Sequence, residues 1–307
     1  MEQSIYSRLV EQLNDGRRET SCQVCPYERM APHTSFRIGG KADLMLVPDN
    51  PDALSFILSY LTSAKIPYRV VGNLTNCLVD DGGYAGVFIR TTRLRDVRVE
   101  GHVVEAEAGA TLARVSQVAM EAELGGFESL SGIPGSVGGA LAMNAGAYGR
   151  SISDVLVSAV VYDVQKGSFQ EMTGQALHFA YRSSDIDDHR FVAVSARFGL
   201  TPRPRGEIAM EIRQLTEQRR ATQPLEFPSA GSVFKRPPND YAGRLIEAAG
   251  LKGMRIGDAE VSVKHAGFIV NRGHATAKDV RALISLVQER VREESDVLLS
   301  PEIEIIS

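Results

Sequence analysis

The chain has 307 residues, 43% hydrophobic and 23% charged, and its 34 Lys and Arg against 38 Asp and Glu give a formal net charge of −4. That balance offers no electrostatic pull toward nucleic acid or an anionic membrane, so an anionic ligand has to be held by local features. The length predicts two or more domains. No apolar run reaches the roughly 18 residues of a membrane span, and the charged N-terminus MEQSIYSRLVEQLNDGRRE has no apolar signal core, so a cytoplasmic protein without a membrane partner is expected.

In chain order, Ile5, Leu9, Val10 and Leu13 recur at helical spacing and predict a leader helix over 3–14. SCQVCPYERM reads as a loop. Its C-x-x-C, Cys22 and Cys25, would need two further ligands to hold zinc, and Cys77 is the one other thiol; incidental thiols without a metal are expected. ADLMLVP (42–48) reads as a strand. A helix is predicted over 51–64, with Asn50 as cap and Pro51 at its first position. YRVVG (68–72) and GVFIR (86–90) read as strands, which completes a strand–helix–strand lobe.

Residues 97–108 predict a hairpin turning at Gly101–His102, followed by a helix over 111–124. Then comes SGIPGSVGGALAMNAGAYG (131–149), rich in glycine and alanine and without a charge. DVLVSAVVYDV, SFQEMT and HRFVAVSARFGL alternate as strands, so a second, strand-rich lobe is expected. TPRPRG (201–206) marks the best domain boundary. Beyond it are a helix (207–222), a loop (223–239), helices over 241–249 and 276–294, and a terminal strand PEIEII.

Several stretches can carry chemistry. Gly132, Gly135, Gly138 and Gly139 give G-x-x-G-x-x-G-G, which is neither a dinucleotide fingerprint nor a phosphate loop of the G-x-x-x-x-G-K type. Lacking side chains, such residues let backbone N–H groups converge on an anion, and they equally suit tight helix–sheet packing; both readings stay open at this point. Gly72-Asn73-Leu74-Thr75-Asn76 is a second turn of this kind, directly after a strand. Arg182 in YRSS can grip a carboxylate or enolate oxygen, or be a plain surface arginine. PSAGSVFKRP (228–237) sets Ser232 and Lys235 in one loop, where the serine can face a substrate or simply cap a helix. If PEIEII is a strand, Glu302 and Glu304 share one face while Ile303 and Ile305 bury the other.

HTSFRIGGKADLMLVP, GNLTNCLVDDGGYAGVFI, the glycine block, YRSS, QPLEFPSAGSVFKRP, AGRLIEAAGLKGMRIGDAEVSVKHAGFIVN and PEIEII, in this order over about residues 33 to 306, resemble the UDP-N-acetylenolpyruvoylglucosamine reductase family. The resemblance implies an α+β fold: a two-lobed FAD-binding region of the vanillyl-alcohol-oxidase/PCMH type plus a C-terminal α+β substrate-binding domain. The matching divisions would be a leader at 1–33, lobes at 34–95 and 96–200, a substrate domain at 201–300 and a catalytic strand at 301–307.

It further implies non-covalent FAD held by Gly72, Asn73, Leu74, Thr75 and Asn76 and by Gly135, Ser136, Gly138 and Gly139, with Ala140 to Ala147 packing more than binding. His33 is accordingly not read as a covalent flavin attachment. NADPH would be the reductant and UDP-N-acetylglucosamine enolpyruvate the substrate, taking a hydride at its β-carbon and a proton at its α-carbon. Arg182, with Glu302 assisting, would stabilise the developing enolate and Ser232 would donate the proton. Tyr181, Lys235, Lys264, His265, Asn271 and the basic residues of EQRRATQP would surround the nucleotide sugar. A monomer or weak dimer is expected.

Three features depart from the family pattern. Leu74 stands where a glycine is frequent, and Thr75 where serine is; Leu74 then requires a negative φ or a different approach to the diphosphate. No tyrosine-bearing loop is inserted between Asp185 and Pro228, as in the shorter subgroup of the family. The charged DIDDH (185–189) has no assigned role. Two rivals stay open: an oxygen-using FAD oxidase of the same fold acting on a small alcohol or hydroxy acid, and a flavin-free nucleotide-sugar-binding regulator.

Overall fold

A computed structural model describes residues 2–186 and 190–307. The side chains of residues 2–5, and with them the expected contribution of Ile5, lie outside that description, as do Asp187, Asp188 and His189 of the charged cluster. The chain divides into two compact units. One comprises residues 1–27, 43–73 and 86–217; the other comprises 28–42, 74–85 and 218–307. Two short excursions, 28–42 and 74–85, thus belong with the C-terminal residues. Among the described residues no helix is long and apolar enough to cross a membrane.

In the first unit, helices α1 (Glu2–Leu13) and α2 (Pro51–Ser63) flank a four-stranded sheet of order Cys22–Pro26, Ala42–Pro48, Tyr84–Arg90, Tyr68–Val71. The start of α2 is fixed as its sequence predicts: Asn50 Oδ1 accepts from Ala53 N at 2.9 Å, and Pro51 follows. Cys22–Pro26, read as a loop, is instead an edge strand paired antiparallel with Ala42–Pro48. Cys22 and Val24 pack against the core of Leu44, Leu46, Ile57 and Leu58, and the strand ends at Tyr27, whose φ is 51°. Burial pushes the Cys22 thiol up to about 12, so it is a poor nucleophile.

The second lobe of this unit is a five-stranded sheet of order Ser168–Thr173, Leu156–Asp163, Phe191–Gly199, Val103–Glu107, Val97–Glu100. The hairpin turns at Gly101–His102, with Glu100 opposite Val103. Phe191–Gly199 is buried on both faces, because alternate residues feed two cores. Ala193, Ala196 and Phe198 join one core, while Val192 and Val194 join the core of α1 and α2. Tyr162 is buried with them and satisfies its hydroxyl on Ser59 Oγ at 2.6 Å.

Helix α3 (Leu112–Glu121), capped by Thr111, ends three residues earlier than the periodicity suggests. Leu124–Gly125 pairs with Thr201–Pro202 instead. The TPRPRG segment is tied down: Arg203 contacts buried Glu128 at 3.0 Å and Glu211 at 2.5 Å. Helix α4 (Val137–Ala142) lies inside the glycine block, and α5 (Arg205–Thr222) begins two residues before the sequence pattern places it.

The second unit holds a four-stranded sheet of order Ser229–Ser232, Phe268–Asn271, Ala259–Val261, Arg255–Ile256, covered by α6 (Ala242–Ala248) and α7 (Ala277–Ser295). Its core runs through Phe36, Leu78, Val233, Ile246, Ile269, Leu283 and Val287. Asp81 reaches the first amides of α7, at 2.8 Å from Ala277 N and 3.0 Å from Lys278 N. The terminal strand is shorter than PEIEII. Glu304–Ile306 runs parallel to Cys77–Val79, while Glu302 lies before it. Ile303 and Ile306 are the buried isoleucines, so Glu302 and Glu304 do not form the shared strand face expected from strict alternation.

Candidate active site

Gly72 ends the strand Tyr68–Val71 directly against the start of α4 in the first unit. A Cβ on Gly72 would collide with the Ser136 hydroxyl and lie 3.0 Å from Ser136 Cβ. Ser136 is 2% exposed, caps α4 through Gly139 N at 3.4 Å and pairs with Thr111. Gly72 thus makes room for the buried Ser136 side chain, and the two small-residue turns lie against each other at the place where an elongated polar ligand was expected. The amides are not all available to such a ligand. Val137 N donates to Ala110 O at 2.9 Å and Gly138 N to Ala108 O at 2.8 Å, so these two hold α4 on the sheet.

The remainder of GNLTN falls in the second unit. Leu74 has φ 49°, the left-handed region, so of the two alternatives expected for it the negative φ does not hold. The leucine adopts a left-handed backbone that glycine takes without strain. It does so because its side chain is 3% exposed, and Ser35 N donates to Leu74 O at 3.3 Å. Ser35 Oγ reaches Thr75 O at 3.3 Å. Asn76 donates through Nδ2 to Glu302 O at 3.1 Å and accepts at its carbonyl from Glu304 N at 2.9 Å. Its amide thus anchors the C-terminal segment, where sequence alone suggested a diphosphate contact.

Tyr181 and Arg182 stand at the tip of a tight turn in the first unit. The Arg182 guanidinium lies 5.2 Å from the Tyr181 ring centroid, and Tyr181 is 55% exposed. Arg182 has φ 57°, uncommon for a non-glycine residue. His178 and Asp185 close the segment from outside at 2.7 Å.

In the second unit, Ser232 is aimed by a bulge. Ser229 pairs with Val270 but Ser232 with Phe268, so one extra residue sits in the strand, and Gly231 adopts φ 77° there. Loop 223–239 therefore contains a strand that its small residues did not advertise. Ser232 Oγ would lie 3.6 Å from a Cβ on Gly267, and His265 Cε1 would lie 3.0 Å from the same point, so hydroxyl and imidazole face one glycine. Burial lowers the His265 pKa, with nearby Lys252 acting in the same direction; Nδ1 accepts from Gly267 N at 3.2 Å. Glu302 N donates to Val233 O at 2.7 Å and Lys235 N to Ser300 O at 2.8 Å. These bonds fasten the Ser232–Lys235 loop to the segment carrying Glu302.

Lys264 Nζ donates to Arg220 O at 2.6 Å, at the end of EQRR. Asn271 is 3% exposed. Its Nδ2 donates to Phe36 O at 3.0 Å, and its Oδ1 accepts from Gly273 N and Ala275 N at 2.9 and 3.0 Å. Its carboxamide holds the fold together where the family resemblance implied a ligand contact. Asn144 and Ser184, not among the predicted site residues, link the Arg182 turn to α4: Asn144 Nδ2 donates to Ala180 O and Ser184 Oγ to Leu141 O; an Asn just past a short helix was the one available signal.

Comparison with known proteins gives these units their class. Residues 42–173 match the FAD binding domain family, a stretch that includes both small-residue turns, 72–76 and 135–139. The chain is an FAD-dependent oxidoreductase with an FAD-binding region and a C-terminal α+β domain. Residues 223–306 match the family "UDP-N-acetylenolpyruvoylglucosamine reductase, C-terminal domain". The reductase of that name from Caldanaerobacter subterraneus subsp. tengcongensis is 44% identical over 306 residues, 100% of this chain and 99% of the relative. A second, from Clostridium tetani, is 42% identical over 98% of this chain and 95% of its own. The crystal structure of the Thermus caldophilus reductase (MurB) superposes with a TM-score of 0.80 at 34% identity, covering 93% of this chain and 99% of that one. The chain belongs to the UDP-N-acetylenolpyruvoylglucosamine reductase family.

Proposed function

We propose that this chain reduces UDP-N-acetylglucosamine enolpyruvate to UDP-N-acetylmuramate with NADPH as the preferred reductant, in the formation of peptidoglycan precursors. The nicotinamide loses a hydride, the β-carbon of the enolpyruvyl group gains it, the α-carbon takes a proton, and the carbon–carbon double bond becomes single. Bound FAD supplies the hydride relay between the two molecules. Gly72, Asn73, Gly135 and Gly139 hold it through backbone, and Ser136 keeps α4 in place beside it.

Arg182 binds the carboxylate of the substrate and stabilises the negative charge that develops on its oxygens, a group effect worth about 3–4 kcal/mol where a single donor is removed. Glu302 assists in orienting the same group. Ser232 Oγ gives up its proton to the α-carbon. A serine is a weak acid, and the Lys235 ammonium lowers the cost of the alkoxide left behind before solvent restores the proton. Tyr181, Lys264 and His265 line the approach of the nucleotide sugar.

The observation that carries this reading is the bulge at Gly231 together with the 2.7 Å bond from Glu302 N to Val233 O. They keep the serine and the glutamate at neighbouring positions, as a donor and an orienting carboxylate require. Ser232→Ala is expected to retain flavin reduction by NADPH while losing reoxidation by the enolpyruvyl substrate. Equal loss of both half-reactions would contradict the role given to Ser232. Exchanging NADPH for NADH in the first half-reaction tests the reductant: comparable kcat/KM for the two would remove the preference.

A further inference from the structure

We infer that Asn144 and Ser184 are positioning residues that set Arg182 for the oxidative half-reaction, an inference that rests on the role proposed for Arg182. The turn Ala180–Ser183 is closed by reciprocal backbone bonds, Ala180 N to Ser183 O at 3.0 Å and Ser183 N to Ala180 O at 3.3 Å. Its third residue is Arg182, at φ 57°. Turns of this shape normally place Gly or Asn there, because a Cβ crowds the backbone. A strained arginine persists only where the surroundings over-determine it.

Two side chains do so, one on each side of the tip. Before it, Asn144 Nδ2 donates to Ala180 O at 3.0 Å, and Asn144 Oδ1 accepts from Ser153 N at 3.3 Å. Asn144 itself has φ 40°, the conformation that ends α4 and that Asn tolerates well. After the tip, Ser184 Oγ donates to Leu141 O at 2.9 Å and Ala142 O at 3.2 Å in the last turn of α4, where Leu141 O also accepts from Asn144 N at 3.2 Å. The same hydroxyl accepts from Ile186 N at 3.2 Å. Both struts therefore spring from one short helix, which the Val137 and Gly138 amides fasten to the sheet. The second half of the glycine block thus fixes the arginine turn, a task beyond the packing its alanines suggest. The block and YRSS act as one device: its first half faces the cofactor and its second half aims the cation.

The experiment uses the FAD-loaded full chain and separates the half-reactions by stopped-flow absorbance. Asn144→Asp keeps the size and the left-handed backbone but removes the donor; Ser184→Ala removes the hydroxyl and Ser184→Thr restores it. Each loss is expected to slow flavin reoxidation by the enolpyruvyl substrate about tenfold to a hundredfold, the scale of an ångström-level misplacement, with flavin reduction by NADPH at the wild-type rate and Ser184→Thr near wild type. In an Arg182→Ala background neither substitution is expected to slow reoxidation further. Equal slowing of both half-reactions, or an undiminished effect in the Arg182→Ala background, would overturn the positioning role. So would full activity of Asn144→Asp and Ser184→Ala beside an inactive Arg182→Ala. Wild-type reoxidation by Arg182→Ala would instead overturn the arginine's own role.

Discussion

Gly72→Ala addresses the close approach on which the proposed cofactor surface depends. The added Cβ would run into Ser136 Oγ and come within 3.0 Å of Ser136 Cβ. Ser136 is 2% exposed, so the hydroxyl has no solvent to swing into. Relief requires turning it away from Gly139 N, whose 3.4 Å separation marks a weak cap, and shifting the end of the strand. Overpacking of this kind costs about 1–3 kcal/mol, and a weak cap contributes about 0.5 kcal/mol more. A loss of about 2–3 kcal/mol corresponds to a melting temperature lower by about 5–10 °C in a domain of this size.

Any share of that cost borne on binding weakens FAD about tenfold per 1.4 kcal/mol. The assay is thermal unfolding with and without FAD, together with FAD titration by fluorescence. The double variant Gly72→Ala/Ser136→Gly removes the colliding atoms, and glycine as a cap costs only about a few tenths of a kcal/mol. It is expected to recover most of the loss. A Gly72→Ala protein with wild-type melting and FAD affinity, or a double variant no better than the single, would refute the reasoning.

Leu74→Gly sets two effects against each other: relief of the left-handed strain returns about 1–2 kcal/mol, while deleting a fully buried leucine side chain costs about 2–5 kcal/mol. The burial term is larger, so urea unfolding is expected to show net destabilisation, and a more stable variant would contradict the packing given to Leu74. Arg203→Ala strands Glu128, which is 5% exposed; a distinct drop in melting temperature is expected, partly recovered by Glu128→Gln in the same chain, and full additivity of the two changes would exclude the pair. His265 is held below the ordinary imidazole value chiefly by burial. The unfolded chain then binds a proton below about pH 6.5 that the folded chain resists, so stability is lost as pH falls through that range. His265→Gln is expected to flatten this dependence between pH 7.5 and 5.5, and an unchanged slope would assign it to other groups.

Much of the local structure could be read from the chain because its signals are local. Asn50–Pro51 starts α2, Gly101–His102 turns a hairpin, and Thr276 caps α7 three residues before Asp279. Other elements are made by their partners. Ser229–Ser232 has no residue of strand character, and it becomes a strand only because Phe268–Asn271 lies beside it and Gly231 absorbs the extra residue. Cys22–Pro26 is likewise set by its pairing with Ala42–Pro48.

The grouping of 28–42 and 74–85 with residues beyond 218 joins segments far apart in sequence, which no periodicity can reveal. At the site, small-residue turns and the serine loop were legible through their composition. The division of labour within them was not. Gly138 and Asn76 spend their amides on the fold, and Asn144 and Ser184 tie the arginine turn to α4 through side-chain hydrogen bonds that leave no mark on composition.

The central claim is that this flavoenzyme passes a hydride from NADPH to an enolpyruvyl ether. The most direct measurement mixes the yellow, FAD-loaded protein with one equivalent of NADPH without oxygen and then adds UDP-N-acetylglucosamine enolpyruvate. The account predicts bleaching of the flavin absorbance, its full return on adding the second substrate, and one UDP-N-acetylmuramate per flavin. A reduced flavin that stays bleached with the enolpyruvyl substrate and returns only with oxygen, yielding hydrogen peroxide, would contradict it.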